Sequence, residues 1–169
     1  MSFQRVFFAL WPDEQTRQAI ARLAGKFDGG GRPMPAGNLH VTLVFVGNVD
    51  EQRLACLKKV AGDIEVSPFT LRLDRIGSFR RKALWLGCAD IPEPLRQLQQ
   101  DLSLALARDC RYQPEKRPYV PHITLQRNIR REVNLELDEA LCWKVDSFSL
   151  LLSQSSPSGV RYSELARLS

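Results

Sequence analysis

The chain has two histidines, and each opens the same pattern: His40-Val41-Thr42-Leu43 and His122-Ile123-Thr124-Leu125. With average residue usage, a given histidine is followed by Val or Ile, then Thr, then Leu roughly one time in a thousand, so composition does not account for the pair. In a strand, residues i and i+2 share a face. Each motif therefore sets an imidazole beside a hydroxyl on one side, with Val41, Leu43 and Phe45, or Ile123 and Leu125, on the other. The fold must bury the apolar side of both strands under helices and leave both His-Thr faces open.

The surrounding pattern repeats with the motifs. Residues 5–10 (RVFFAL) read as a buried strand, and Pro12-Asp13-Glu14 supplies a helix start with acids in the first turn. The helix carries Ala19, Ile20, Leu23 and Phe27 at helical spacing and is expected to end at Gly29-Gly30-Gly31. A loop with Pro33 and Pro35 leads into the first motif strand, residues 39–47, and Leu54, Leu57, Val60, Ala61 and Ile64 form a second amphipathic helix. In the second half a strand over residues 83–88 precedes a helix with Leu95, Leu98, Leu102, Ala105 and Leu106. A loop with Pro114, Pro118 and Pro121 then opens into the second motif. Further strands are expected at 69–73, 148–152 and 162–168, with a turn region over 77–82. The histidines follow Phe8 by 32 residues and Trp85 by 37, the spacing of an internal duplication. The expected fold is α+β: two pseudo-symmetric lobes, each a mostly antiparallel sheet with helices on its outer face, enclosing a central cleft. The whole chain, 1–169, is expected to act as one domain.

Composition narrows the class. A 44% hydrophobic fraction with 25% charged residues is that of a globular domain, not of a disordered chain. No apolar run reaches the roughly 18 residues of a membrane span, and the apolar stretch over residues 6–11 is too short for a signal peptide, so a cytoplasmic protein is expected. Cys56, Cys88, Cys110 and Cys142 lie far apart without a C-x-x-C pair and read as four free thiols. The net charge of +5 gathers in clusters at Arg80-Arg81-Lys82, Lys116-Arg117 and Arg130-Arg131, which suits a polyanionic partner.

Two imidazoles and two hydroxyls across a groove suit in-line displacement at phosphorus. One neutral histidine takes a proton from the nucleophile, and one protonated histidine gives a proton to the leaving oxygen. An unperturbed pKa near 6.5 allows both states near neutrality. The threonine hydroxyls can donate to the non-bridging oxygens, where charge gathers. A metal centre is disfavoured, because no acid or cysteine repeats at a fixed spacing from either histidine; neither metal nor cofactor is expected.

On these motifs, about eighty residues apart, and on RVFFAL, NLHVTLVFVG, LWLG and RPYVPHITLQR, the chain resembles the two-histidine phosphoesterase superfamily over nearly its whole length. More closely it is similar to the bacterial RNA 2′,3′-cyclic phosphodiesterases first described as 2′-5′ RNA ligases. The resemblance implies hydrolysis of RNA 2′,3′-cyclic phosphate ends to 2′-phosphates, with His40 as proton donor to the departing 3′ oxygen and His122 as acceptor from water. Thr42 and Thr124 would contact the phosphate. Arg127 matches a phosphate-contact position, although strand parity turns it away from His122 unless a bulge intervenes. Phe7 or Phe8 could stack on the terminal base, with a core role as the competing expectation. The expected partners are RNA 3′ ends or cyclic nucleotides, and a monomer is expected. Competing functions are 2′-5′ joining of RNA halves on the same site, action on a small cyclic nucleotide or an ADP-ribose derivative, and a non-catalytic RNA-end binding module.

Overall fold

The computed structural model describes residues 2–169. Among these the chain forms, in order, β1 (Gln4–Leu10), α1 (Glu14–Ala24), β2 (Arg32–Pro33), a 3-10 turn (Ala36–Asn38), β3 (Val41–Val49), α2 (Glu51–Gly62), β4 (Phe69–Phe79) and β5 (Ala83–Gly87). There follow α3 (Glu93–Asp109), β6 (His122–Arg127), β7 (Leu135–Val145), β8 (Phe148–Ser156) and β9 (Gly159–Leu168). Asp13 caps α1 by accepting from the Thr16 amide at 2.7 Å, and Asp50 caps α2 through the Arg53 amide at 2.8 Å. Pro94 lies in the first turn of α3, where its missing N–H costs nothing.

One sheet has the order β3-β1-β8-β9 and the other β2-β6-β5-β4-β7, with every pairing antiparallel. Setting aside the two-residue β2, the sheets match strand for strand: β3 with β6, β1 with β5, β8 with β4, and β9 with β7. The duplication expected from the sequence is therefore present as two lobes, with a motif strand at corresponding places. The second lobe is continuous, from β4 to β7, whereas the first closes only when β8 and β9 return to β1. Val41, Leu43, Ile123 and Leu125 join Ile20, Leu57 and Leu102 of the helices in one buried core, so the apolar side of both motifs lies inward as expected.

Four local expectations need correction. α1 ends at Ala24, before the glycine run. The segment beyond it is claimed by Gln126 instead: its Oε1 accepts from the Gly29 and Gly31 amides at 3.0 and 3.3 Å, and its Nε2 donates to the Phe27 carbonyl at 3.2 Å. β4 runs to Phe79, through a stretch whose composition suggests a turn, because Gly77 pairs with Trp85 and the indole lies where any Cβ would stand. β7 is an additional strand without a sequence signal, since its acidic sequence LELDEALCWKV buries only Trp143 and Val145. Finally, the cysteines are not all free. Cys56 of α2 and Cys110 after α3 form a disulfide, with Cα atoms 5.9 Å apart, and Cys88 and Cys142 remain thiols. Only the side-by-side packing of α2 and α3 brings together residues 54 apart in sequence.

Closing a loop of that length stabilises the fold by about 4 kcal/mol on the chain-entropy account. Reduction should lower the denaturation free energy by that order, and a Cys56→Ser/Cys110→Ser variant should start at the lower value and ignore reductant. Identical urea midpoints with and without dithiothreitol would show that the bridge contributes nothing.

Candidate active site

Both motif strands carry an extra residue at the same point. In the β1–β3 pairing Ala9 faces Thr42 and Phe8 faces Val44, so Leu43 is left over. In the β5–β6 pairing Trp85 faces Thr124 and Leu84 faces Gln126, so Leu125 is left over. Each bulge reverses the parity of the residues after it. The bulged carbonyls find partners elsewhere: Gln99 Nε2 of α3 donates to the Leu43 oxygen at 3.3 Å, and the Met34 amide donates to the Leu125 oxygen at 2.8 Å.

The consequence is that Arg127, opposite Ala83, returns to the face of Thr124, opposite Trp85. This is the bulge on which its place beside His122 depended. Phe45 follows the same rule on β3: it lies opposite Phe7, shares the face of Thr42, and is 45% exposed. It is not on the helix side with Val41 and Leu43, as strict alternation implies.

Each imidazole is fixed in the same way. His40 Nδ1–H donates to the Asn38 carbonyl at 2.7 Å, and His122 Nδ1–H donates to the Val120 carbonyl at 2.8 Å, in both cases two residues upstream. That choice of tautomer leaves Nε2 of each ring as the acceptor. At His40 the Thr42 hydroxyl donates to Nε2 at 3.0 Å. The His40 ring sits 5.0 Å from Phe7 and 5.2 Å, edge-on, from Tyr162, while His122 meets Phe79 edge-on at 5.0 Å. Of the two candidate stacking rings, Phe8 is core and Phe7 is 4% exposed beneath His40, so neither offers a base an open face.

Sequence reasoning missed several supports. Buried Asn38 is anchored to β9, donating to the Val160 carbonyl at 2.8 Å and accepting from the Tyr162 amide at 3.2 Å. Half-buried Tyr119 crosses from the second lobe to donate to the Thr42 carbonyl at 2.8 Å. The available signal was positional: Asn38 and Val120 both stand two residues before a histidine.

Burial pulls the His40 pKa down to about 4, against the opposing pull of the Asn38 carbonyl, and the charges of His122 and Arg127 push it the same way. His122 is also lowered, by burial first and by Arg127 as well. One guanidinium thus acts on both rings. A cavity of about 920 Å³ opens onto this site, with Thr42, Phe79, Tyr119 and His122 in its lining. The arrangement can exchange protons at two nitrogens and hold an anion beside an arginine.

The model for the 2′-5′ RNA ligase superfamily matches residues 11–156. The RNA 2′,3′-cyclic phosphodiesterase of Escherichia coli K12 is 37% identical, over 97% of this chain and 95% of that protein. The protein of the same description from Thermus thermophilus is 29% identical, over 98% and 89%. The crystal structure of E. coli LigT complexed with 3′-AMP superposes with a TM-score of 0.88 at 35% identity, covering 98% of this chain and 97% of that one.

Both histidines are easier to protonate in the unfolded chain, near 6.5, than in the folded one. Their contribution to stability is complete above about 6.5 and is lost as pH falls below it, for His40 as pH approaches about 4. His40 alone should cost on the order of 2 kcal/mol between pH 7 and pH 4.5. Urea denaturation across that interval should show the loss in the native chain and a flatter dependence in His40→Asn. Equal slopes would place the His40 pKa near its free value.

Proposed function

From the premise that the chain belongs to the 2′-5′ RNA ligase superfamily, we propose that it hydrolyses RNA 2′,3′-cyclic phosphate ends to 2′-phosphates with His40 as acid and His122 as base. The observation that carries this reading is the matched pair of imidazoles, each with Nδ1–H tied to a carbonyl and Nε2 left for chemistry, beside one shared arginine. The relatives described as RNA 2′,3′-cyclic phosphodiesterases support the substrate, and the LigT complex with 3′-AMP supports a nucleotide in the cleft.

The steps follow from the hydrogen bonds. His122 Nε2, neutral in the free site, takes a proton from water as the water oxygen attacks phosphorus opposite the 3′ oxygen. His40 is neutral too in the free site, so binding of the anionic substrate must raise its pKa far enough for it to take a proton from solvent. The phosphate between the imidazoles and Arg127 stabilises the charged ring against the burial that chiefly lowers the His40 pKa and against the smaller repulsion from His122 and Arg127. Protonation of Nε2 ends its acceptance from Thr42, freeing that hydroxyl to donate to a non-bridging oxygen, as Thr124 does from the other strand. The P–O3′ bond breaks, His40 gives its proton to the 3′ oxygen, and the product leaves with its phosphate on the 2′ position.

The two lobes act as one unit over residues 1–169, as a monomer whose partner is the RNA end. No helix among the described residues is long and apolar enough to cross a membrane. The expected cytoplasmic residence meets one opposing feature, the Cys56–Cys110 bridge, because cytosolic thiols are kept reduced.

Replacing either histidine by alanine should cost at least the 10² to 10⁴-fold of a lost general acid or base. The pH profile of kcat/KM should be bell-shaped with both limbs below about 6.5, because both free imidazoles are lowered. The basic limb of kcat should lie higher, since bound phosphate restores the His40 proton. EDTA should leave the rate intact; a rate that rises steadily with pH and vanishes in EDTA would point to a metal-bound hydroxide.

Arg127→Gln tests the shared cation. It should raise KM and shift both limbs of kcat/KM to higher pH, because a positive charge facing both rings is gone. An unmoved profile would remove Arg127 from the site.

A further inference from the structure

Side chains of the second lobe reach across to the first motif. β3 is an edge strand in the order β3-β1-β8-β9, so any carbonyl it turns away from β1 needs a partner from outside its sheet. Two consecutive carbonyls find partners in the second lobe: the Thr42 oxygen accepts from the Tyr119 hydroxyl at 2.8 Å, and the Leu43 oxygen accepts from Gln99 Nε2 at 3.3 Å. All four residues line the cavity of about 920 Å³ together with His122. The two bonds differ in what stands behind the donor. Gln99 sits on α3, where the helix fixes it. Tyr119 belongs to the loop between α3 and β6, and among the described residues no backbone–backbone hydrogen bond holds positions 116–120.

Yet Val120, the residue after Tyr119, supplies the carbonyl that accepts from His122 Nδ1–H at 2.8 Å. The phenol is thus the polar anchor of the peptide that orients the second imidazole, and its partner Thr42 is the residue whose hydroxyl donates to His40 Nε2 at 3.0 Å. The half-buried phenol keeps its proton wherever the histidines titrate, because desolvation, and Cys88 after it, hold its pKa above the ordinary range. The link therefore runs from His40 to Thr42 along one strand, from Thr42 to Tyr119 across the lobes, and from Val120 to His122 along the loop. Proton transfer at both ends of an in-line displacement needs such a link, since a misplacement of about 1 Å costs on the order of 10²-fold in rate. Neither motif sets the separation alone, because β3 and β6 belong to different sheets. We propose that Tyr119 is a positioning residue: by holding the Thr42 carbonyl it sets the separation and relative orientation of the His40 and His122 rings, so that acid and base work in line on one phosphorus. This inference rests on the phosphodiesterase reading above and adds to it the tie between the two halves of the site.

The test uses Tyr119→Phe, which keeps the ring and removes the donor. On an oligoribonucleotide ending in a 2′,3′-cyclic phosphate its kcat should fall roughly 10- to 100-fold. KM should stay near the native value, because Arg127 and the cavity's Arg80, Lys82 and Arg117 are untouched. Imidazole proton NMR gives a second readout, free of overlap because the chain has two histidines. The charge of His122 helps to lower the His40 pKa, so His122→Gln should raise that pKa in the native background. It should raise it less in Tyr119→Phe, where the rings are no longer held together. An unchanged kcat would overturn the proposal, as would a loss carried by KM alone, or a His122→Gln increment in Tyr119→Phe as large as the native one or larger. A bond of merely structural value would lower the urea midpoint and leave both kcat and the increment where they are. If the native chain does not hydrolyse the cyclic phosphate, the phosphodiesterase reading fails. The positioning role then stands on a smaller increment in Tyr119→Phe, and falls on an equal or larger one.

Discussion

Leu43 and Leu125 each stand where one strand has a residue too many for its neighbour, and that surplus decides which side chains meet in the cleft. With unbroken alternation Arg127 would point into the helix-covered core, where an unpaired guanidinium is very costly. The bulge instead turns it outward beside both histidines. A bulge also leaves a carbonyl to be satisfied, and the two solutions tie each motif to a distant segment: Gln99 of α3 for one, Met34 beside β2 for the other. The His-Thr faces are therefore held from behind as well as along the strand.

Electrostatics then sets the resting protonation state of the site. Two imidazoles and a guanidinium act on one another in a partly desolvated space, so the free site holds both rings neutral. Orientation does not suffer, because each Nδ1–H is held by a carbonyl in the neutral and the protonated ring alike. In the proposed reaction, an incoming phosphate would change the balance of charge and supply the condition under which His40 can hold a proton. The acid would thus be made by the ligand it serves, and neutral molecules of similar shape would leave the site in its resting protonation state.

How much of the molecule is legible in its sequence depends on whether the cause is local. The motif pair, the Leu95 to Leu106 stripe and the duplicated order of elements rest on short-range periodicity, and the fold repeats them. Strict alternation misplaces Phe45 because a bulge is a property of two strands, and nothing in VTLVF reveals that its neighbour skips a residue. Arg127 is legible only as a conditional for the same reason. Asn38 and Tyr119 act through contacts to residues 77 to 124 positions away, and the Cys56–Cys110 bridge through helix packing. The stretch after α1 leaves the helical path where a remote glutamine holds Phe27, Gly29 and Gly31. β7 leaves little trace because a half-exposed strand rich in Glu and Asp lacks the usual apolar run.

The order in which the lobes are written along the chain bears on how the protein is made. Residues 69–145 contain every main strand of the second lobe, so that sheet can close while the C-terminus is still being synthesised. The first lobe has no such freedom. Its central strand β1 has β3 on one side, but the other side stays open until β8 arrives, with Phe8 waiting for Leu150. Through most of translation the apolar segment RVFFAL therefore presents an unpaired edge, the kind of surface that nascent-chain chaperones shield. The half of the molecule that carries His122 can be finished first, although His40 leaves the ribosome long before it.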